Sequence, residues 1–552
     1  MKNRLLPERK YSTLSVASTI AMLFFYLFAF QITTAQVNDF GDFPSSRVPP
    51  TKWVPYKYQA SGSWTTVNVT NHGITPGNQN IDAGPIIQNL VDGYSQNQRI
   101  RLYFPAGTYY LNSKILLRKS NLWIDGDGPS NTIIKVNTNN NGDPSIRIVW
   151  PLETQTNTSV NGTVDRGDNN ITVANGAGIS AGEGIRIREG GNSSTGAGQI
   201  AIVSSRNGNQ ITLNRRIGLD LSNPEVVSRP FTTNIRITDL HLDQDGSPAI
   251  GNELLRFFGV QDFLIRNVDA SGFSSGGISL GSCINGEVRD CKVYDYTGPV
   301  QGGWGNGIQV TDLSTNIHVT DNETEDLRHG IWIGGSANHC VIGYNLTKNS
   351  RAYADIGEHH AGNCHNNLFE GNEGFQIYTD NIDANHPDSY FTVYYRNRAK
   401  TKVGFERIDI GKGVGGQHIN GSVVGNDARV TNSNSNLITG SATGVLDDIV
   451  NGLVGGNVIQ NNNTQWGDFG GPADLPPSLA YASKPNYVAS WPLFGPPTGL
   501  GGGPSNNFPD PNKWYTIESV RYPGFKLHAG PNKNVGCDCT ENNNSRNILT
   551  VS

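Results

Sequence analysis

The chain is poor in what drives charge-based recognition and in what spans a membrane. Only 16% of its 552 residues are charged, and the net charge is −5. No basic stripe breaks that balance, so there is no long-range field suited to nucleic acid, and nucleic-acid binding is excluded as a function class. Long apolar stretches are also scarce. The sizeable one runs from about Val16 to Phe30, about 15 residues, where a membrane helix needs roughly 20. Lys2, Arg4, Arg9 and Lys10 precede it and Thr33-Thr34-Ala35 follow it, which is the order of an export signal cleaved before Gln36. No cysteine follows the run, against a bacterial lipoprotein anchor. Residues 1–35 are expected to be a signal peptide. The mature protein is then secreted, periplasmic or at the cell surface, with no stable membrane insertion.

Methionine (two) and cysteine (six) are sparse as well. In an exported chain six cysteines permit disulfides without demanding them. Cys340 and Cys364 fall at similar phases of neighbouring repeats. They could bond, and stacking as small buried residues is the favoured reading. Cys537 and Cys539 are too close for an easy bridge to each other.

What the chain has in abundance is glycine, 66 residues, together with asparagine. Both tolerate the left-handed backbone of tight corners. Between Asp262 and Arg398 one short pattern recurs every 23 to 30 residues. Its versions include Asp262-Phe-Leu-Ile-Arg-Asn-Val268, Asn316-Ile-His-Val-Thr-Asp-Asn322, His339-Cys-Val-Ile-Gly-Tyr-Asn345 and Asn366-Asn-Leu-Phe-Glu-Gly-Asn372. Each is a brief alternating apolar run that ends near Asn, Asp or Arg. Repeats this short cannot bury their apolar side alone and must stack, which means a solenoid. Asn345 and Asn372 read as corner-ladder residues, not ligands.

Ahead of the repeats, Ile81-Asp-Ala-Gly-Pro-Ile-Ile-Gln-Asn-Leu-Val-Asp92 has helical spacing, with Ile86, Ile87, Leu90 and Val91 on one face. Then come Phe104-Pro-Ala-Gly-Thr-Tyr109 and Ile124-Asp-Gly-Asp-Gly128. This succession, with the repeats, resembles the pectate-lyase-like superfamily of right-handed parallel β-helix proteins. The resemblance covers roughly residues 80–460 and implies an all-β solenoid with an N-terminal capping helix and a long carbohydrate-binding face. Residues 36–98 would lead in and cap the solenoid, and residues 99–465 would form it. Between about 141 and 230 the rhythm breaks into short alternating strands, expected to be a small antiparallel insertion or irregular coils beside the groove. Residues 466–512, rich in Gly and Pro, read as a linker. In residues 513–552, Trp514-Tyr-Thr-Ile517 and Gly524-Phe-Lys-Leu-His528 resemble the first strands of a ricin-type trefoil, a short C-terminal β tail.

Histidine marks the candidate chemistry. Six of eleven (His329, His339, His359, His360, His365 and His386) fall within 58 residues, where an even spread gives about one. Asp355, Glu358, Asp380, Asp383, Arg328, Arg351, Tyr353 and Tyr378 share that stretch. Titratable groups gathered on neighbouring coils are what a catalytic groove requires. Strand parity sends Gln309, Trp332, Asp355, Asn381 and Asp383 outward as one ladder. Trp332 would stack on a sugar, with Gln309, His329, Tyr353, Tyr378 and His386 as further substrate contacts. The catalytic candidates are Asp355, His359, His360, Asp383 and Arg351.

Two reactions suit them. A lyase acting on an acidic polysaccharide would use a His, Arg or Tyr as base, with Asp380 and Asp383 as Ca²⁺ ligands. An endo-acting glycoside hydrolase would pair Asp355 with Asp383. The richness in His and basic groups favours the lyase. The alternative class is a non-catalytic glycan-binding or adhesion protein. A polysaccharide partner and a monomer are expected.

Overall fold

The computed structural model describes residues 53–60, 62–137, 145–151, 155–189, 196–244, 253–351, 355–360, 362–381 and 389–400, with short segments between 407 and 529. The sequence repeat is one coil of a parallel β-helix. Its first face stacks, in parallel, Thr65–Asn68, Ile100–Tyr103, Leu122–Asp125, Thr232–Gln244, Val260–Ser271, Ile284–Arg289, Thr315–Thr320, Val341–Gly343, Leu368–Glu370 and Val393–Tyr395. A second face is a ten-stranded parallel sheet from Ile115–Leu117 to Ile438–Thr439. The third consists of shorter strands such as Lys292–Tyr294, Glu323–Glu325 and Leu346–Lys348.

The corners explain the Asn and Asp punctuation. Asn234, Asp262, Asn285, Asn316, His339 and Asn366 stand at one aligned corner, with φ between 54° and 60°. Asp239, Asn267, Asp290 and Asp321 hold the next one, at 52° to 60°. This left-handed region is open at low cost only to Gly, Asn and Asp. Between corners, the alternate apolar residues of each strand enter the core. Ile278, Ile308, Ile331, Ile356, Ile377 and Ile408 pair in register on the second face and are fully buried. Each contributes roughly 1.5–3 kcal/mol by leaving water.

Inside one corner runs an amide ladder of Asn322, Asn345, Asn372, Asn397 and Asn426. Each side chain donates to the next one's Oδ1 at 2.9–3.0 Å. Cys283, Cys291, Cys340 and Cys364 are buried and unbridged; Cys340 and Cys364 are not stacked in register, since Asn338 pairs with His365 and so sets Cys340 opposite Asn367. Cys537 and Cys539, like residues 1–35, lie outside the described residues.

The helix Ala83–Asp92 buries Ala83, Ile87 and Val91, with Ile86 partly covered and Leu90 at its rim. The buried stripe is therefore shifted from the expected one toward the i, i+4, i+8 positions. Asp82 caps the helix at Gly84 N (2.9 Å) and also accepts from Asn112 N (3.0 Å), which ties it to the first coil.

The break in rhythm is an antiparallel insertion. Thr156–Ser159, Glu225–Ser228, Gly184–Arg188, Gly198–Asn207, Gln210–Leu213 and Asn170–Thr172 form one sheet in that order. A bridge between Val160 and Val173 joins its two edge strands, and it has an apolar core of its own around Val173, Ile185, Ile187, Val203 and Ile211. Near the C-terminus, Tyr515–Glu518 and Lys526–Ala529 pair antiparallel. No helix among the described residues is long and apolar enough to cross a membrane.

Candidate functional site

The chain itself covers the outside of the first face. Trp53 is fully buried there, and its Nε1 donates to Asn366 O (3.1 Å). Tyr58 N donates to Glu287 Oε2 (3.0 Å), and Tyr56 OH donates to Asp262 (3.2 Å). From the Gly/Pro-rich stretch, Leu479 N donates to Glu370 Oε2 (2.8 Å) and Tyr481 OH meets His318 Nε2 (2.6 Å). His318 Nδ1 is 3.1 Å from Tyr56 O, so one imidazole clasps both segments. Burial lowers its pKa to about 3, which keeps it neutral. The third face is a surface row of ion pairs, such as Lys292 and Lys348 with Glu323. Pairs this exposed serve solvation more than stability.

The second face remains. Its register aligns one outward residue per coil, Leu116, Arg147, Arg256, Ser279, Gln309, Trp332, Gly357 and Tyr378, and the backbone ladder continues through Asp409 and Thr439. Gln309 and Trp332 therefore stand on adjacent rungs, as parity predicts. The next rung holds Gly357, not Asp355. A Cβ at 357 would lie 1.8 Å from Tyr378 O, so only glycine fits. The space it leaves is ringed by aromatic and imidazole groups. The His359 ring lies 4.5 Å from His329, 4.2 Å from His360, 5.4 Å edge-on from Trp332 and 6.0 Å from Tyr378. His329 also stacks parallel to Tyr378 at 6.3 Å. Gln309 Nε2 and Trp332 Nε1, both buried, make no hydrogen bond among the described residues.

The carboxylates grouped with this cluster in the sequence do not join it. Asp355 directly precedes the Ile331–Ile356 pair, beside Gly330, and is fully buried. Its Oδ2 accepts from the backbone N–H of Phe375 and of Gln376 (3.0 Å). Parity failed there because the coil bends at Gly330 and turns that position into the corner. Glu358 points inward, accepting from Asn367 Nδ2 (3.1 Å), Ser389 Oγ (2.5 Å) and Thr392 Oγ1 (2.7 Å). Burial raises its pKa. Arg351 sits at the corner leading into this face, paired with Asp326 and over the Tyr296 ring at 4.5 Å. His339 and His365 are buried at the opposite corner, away from the Trp332 cluster.

Tyr353, Asp383 and His386 lie outside the described residues, as does the side chain of Asp380, whose backbone pairs with His359. The Ca²⁺ expectation therefore rests on the sequence. The described residues contain no cluster of three or more potential metal ligands.

Sequence reasoning missed a second feature of the same face. Around Trp150, which stacks edge-on against Phe258 at 4.9 Å, five arginines converge from separate segments. Arg186 and Arg229 lie over the indole at 4.9 and 4.1 Å, and Arg118 Nη1 donates to Trp150 O (2.8 Å). Arg147 and Arg256 are rungs of the ladder itself. Burial, with Arg188 and Arg229 nearby, lowers the Arg186 pKa to about 10. Arg256 is offset by Glu253 at 3.2 Å. The available signal was the alternating arginine of Gly184–Arg188, the insertion strand aimed at this patch.

No protein-family model matches the chain, and no curated protein matches it. Among solved structures it is similar to ORF18 of Geobacillus virus E2, at 13% identity over 88% of this chain and 76% of that one, TM-score 0.44. It is similar to the Gp54 tailspike of Acinetobacter baumannii bacteriophage AP22, solved with a capsular saccharide, at 14% over 71% and 70%, TM-score 0.43. It is also similar to the A-module of the Azotobacter vinelandii mannuronan C-5 epimerase AlgE6, at 15% over 71% and 98%, TM-score 0.38. At such low identity, function has to be read from this chain's own residues.

Proposed function

We propose that the second face binds an acidic polysaccharide outside the cytoplasm and cleaves it by β-elimination. The observation that carries this is the group of His329, His359, His360, Trp332 and Tyr378 around Gly357. Trp332, half-buried on the outward ladder, offers an apolar platform for a sugar ring. About three rungs away, some 14 Å at strand spacing, the arginines around Trp150 attract the carboxylates of the same chain. His359 or His360 takes the proton from C5. The C4–O bond then breaks, the leaving sugar oxygen gains a proton, and a C4–C5 double bond remains. The withdrawal of Asp355 and Glu358 from the face weighs against a paired-carboxylate hydrolase, which needs two free carboxyl groups across the bond.

The test is the purified mature chain on acidic and neutral polysaccharides, with and without Ca²⁺, followed by near-ultraviolet absorbance and by reducing ends. Both signals should rise together on an acidic substrate. His359→Ala or His360→Ala should slow turnover about 10²–10⁴-fold while leaving binding nearly unchanged. Reducing ends without absorbance would mean hydrolysis and refute elimination. Retention of glycan with neither signal would make the protein a binder.

A further inference from the structure

Arg215 is buried where the insertion meets the coils, and no carboxylate among the described residues bears on its charge. Arg215 follows the strand Gln210–Leu213 and is 8% exposed, and its Nε and Nη1 make no hydrogen bond among the described residues. His339 and His365 stand at consecutive coil corners, 5.7 Å apart between ring centroids, both nearly inaccessible. His365 Nδ1 is 2.8 Å from Asn363 O and so carries the proton of the neutral ring, leaving Nε2 unpartnered among the described residues. The insertion backbone closes over that nitrogen. A Cβ at Gly218 would lie 2.7 Å from His365 Nε2 and 2.4 Å from its Cδ2. Arg215 and Arg166 both bear electrostatically on His339, and Arg166 itself lies over the Phe391 ring at 3.9 Å. The other titratable groups here are Cys340 and Cys364, whose thiols burial holds neutral, the buried Glu358, which bears on both thiols, and Asp220, which bears on Arg166 and accepts from its N (2.7 Å) at the rim.

A guanidinium cannot shed its charge by losing a proton at ordinary pH, and a buried cation without a counter-charge is costly. We propose that this seam binds one small inorganic anion of halide size, held by Arg215 Nε–H and Nη1–H beside His365 and His339, and that the anion fastens the insertion to the coils. Binding has a proton linkage. A neutral imidazole at His339 or His365 brings the anion no charge, whereas its protonated form adds a positive charge nearby. Anion and proton therefore help each other bind, and affinity rises as pH falls.

The experiment uses the mature protein and sodium bromide. Crystals grown in bromide should show an anomalous peak within about 3.5 Å of Arg215 Nη1. Thermal unfolding at constant ionic strength, balanced with sodium gluconate, should show a saturable rise in Tm with bromide, with a lower half-saturation at pH 5.5 than at pH 7.5. Arg215→Met should lose both effects. A water in place of the peak, or a bromide effect that never saturates, overturns the proposal. The wild-type crystal and titration decide it even if Arg215→Met does not fold.

Discussion

Asn372 offers the sharpest test of how the coils are held together. Its side chain is fully buried and makes four hydrogen bonds. Nδ2 donates to Ile342 O (2.8 Å) and Asn397 Oδ1 (2.9 Å), and Oδ1 accepts from Asn345 N (3.1 Å) and Asn345 Nδ2 (2.9 Å). Asn372→Ala removes all four. The two acceptors fare better, since Asn397 Oδ1 still receives Asn372 N (3.0 Å). The two donors on Asn345 are stranded in the interior, at about 1–3 kcal/mol each. The expected loss is thus about 4 kcal/mol.

Asn372→Asp should be worse than Ala, because it places an acceptor against Ile342 O and Asn397 Oδ1. Asn349→Gly is the control. That residue is exposed, takes φ 48° and donates to Glu325 Oε1 (3.0 Å), so glycine keeps the backbone unstrained and about 0.5 kcal/mol or less is expected. Urea unfolding gives the three stabilities, and hydrogen exchange shows where protection is lost. In a solenoid the loss should centre on the coils carrying Ile342 and Phe369. A cost below about 1 kcal/mol for Asn372→Ala, or Asp tolerated as well as Ala, would refute the reasoning by showing that water enters the ladder freely.

Other outcomes follow from the same structure. His318 has a folded pKa of about 3 against 6.5 unfolded, so below pH 6.5 the unfolded chain binds more protons and stability falls with pH. At pH 4.5 this costs roughly 2–3 kcal/mol. Proteolysis within residues 53–60 and 478–490 should therefore accelerate from pH 7 to 4.5 in the wild type and change less in His318→Gln. Equal acceleration in both would rule out the clasp. Gly357→Ala forces a shift against Tyr378 O, which should cost about 1–3 kcal/mol and weaken glycan binding together. An unchanged Tm would show that the backbone gives way there without strain.

The sequence disclosed whatever recurs or alternates locally. Corner residues such as Asp262 and Asn316 announce themselves because only a few residue types accept their φ, and the insertion strands show period 2. Parity carried Gln309 and Trp332 to the right face but misplaced Asp355, because it assumes a straight strand through Gly330. What was illegible is made by contacts between separate segments of the chain. Tyr56 and Tyr481 covering the first face, and arginines from separate segments meeting at Trp150, leave no local pattern to read.

The insertion leaves the coils after Val149 and returns at Thr232, and Thr232 Oγ1 donates to Val149 O at 2.6 Å. Exit and return are thus neighbours, and the rungs on either side pair directly, Ile148 with Phe257. A module that joins the chain at two adjacent points, with its own apolar core, is in the covalent sense a graft. Its replacement has only to keep the seam covered where Ile200 and Phe231 pack on Ile284 and Leu313. Under the proposed function, the insertion is then the part of the molecule most readily retuned to a new glycan.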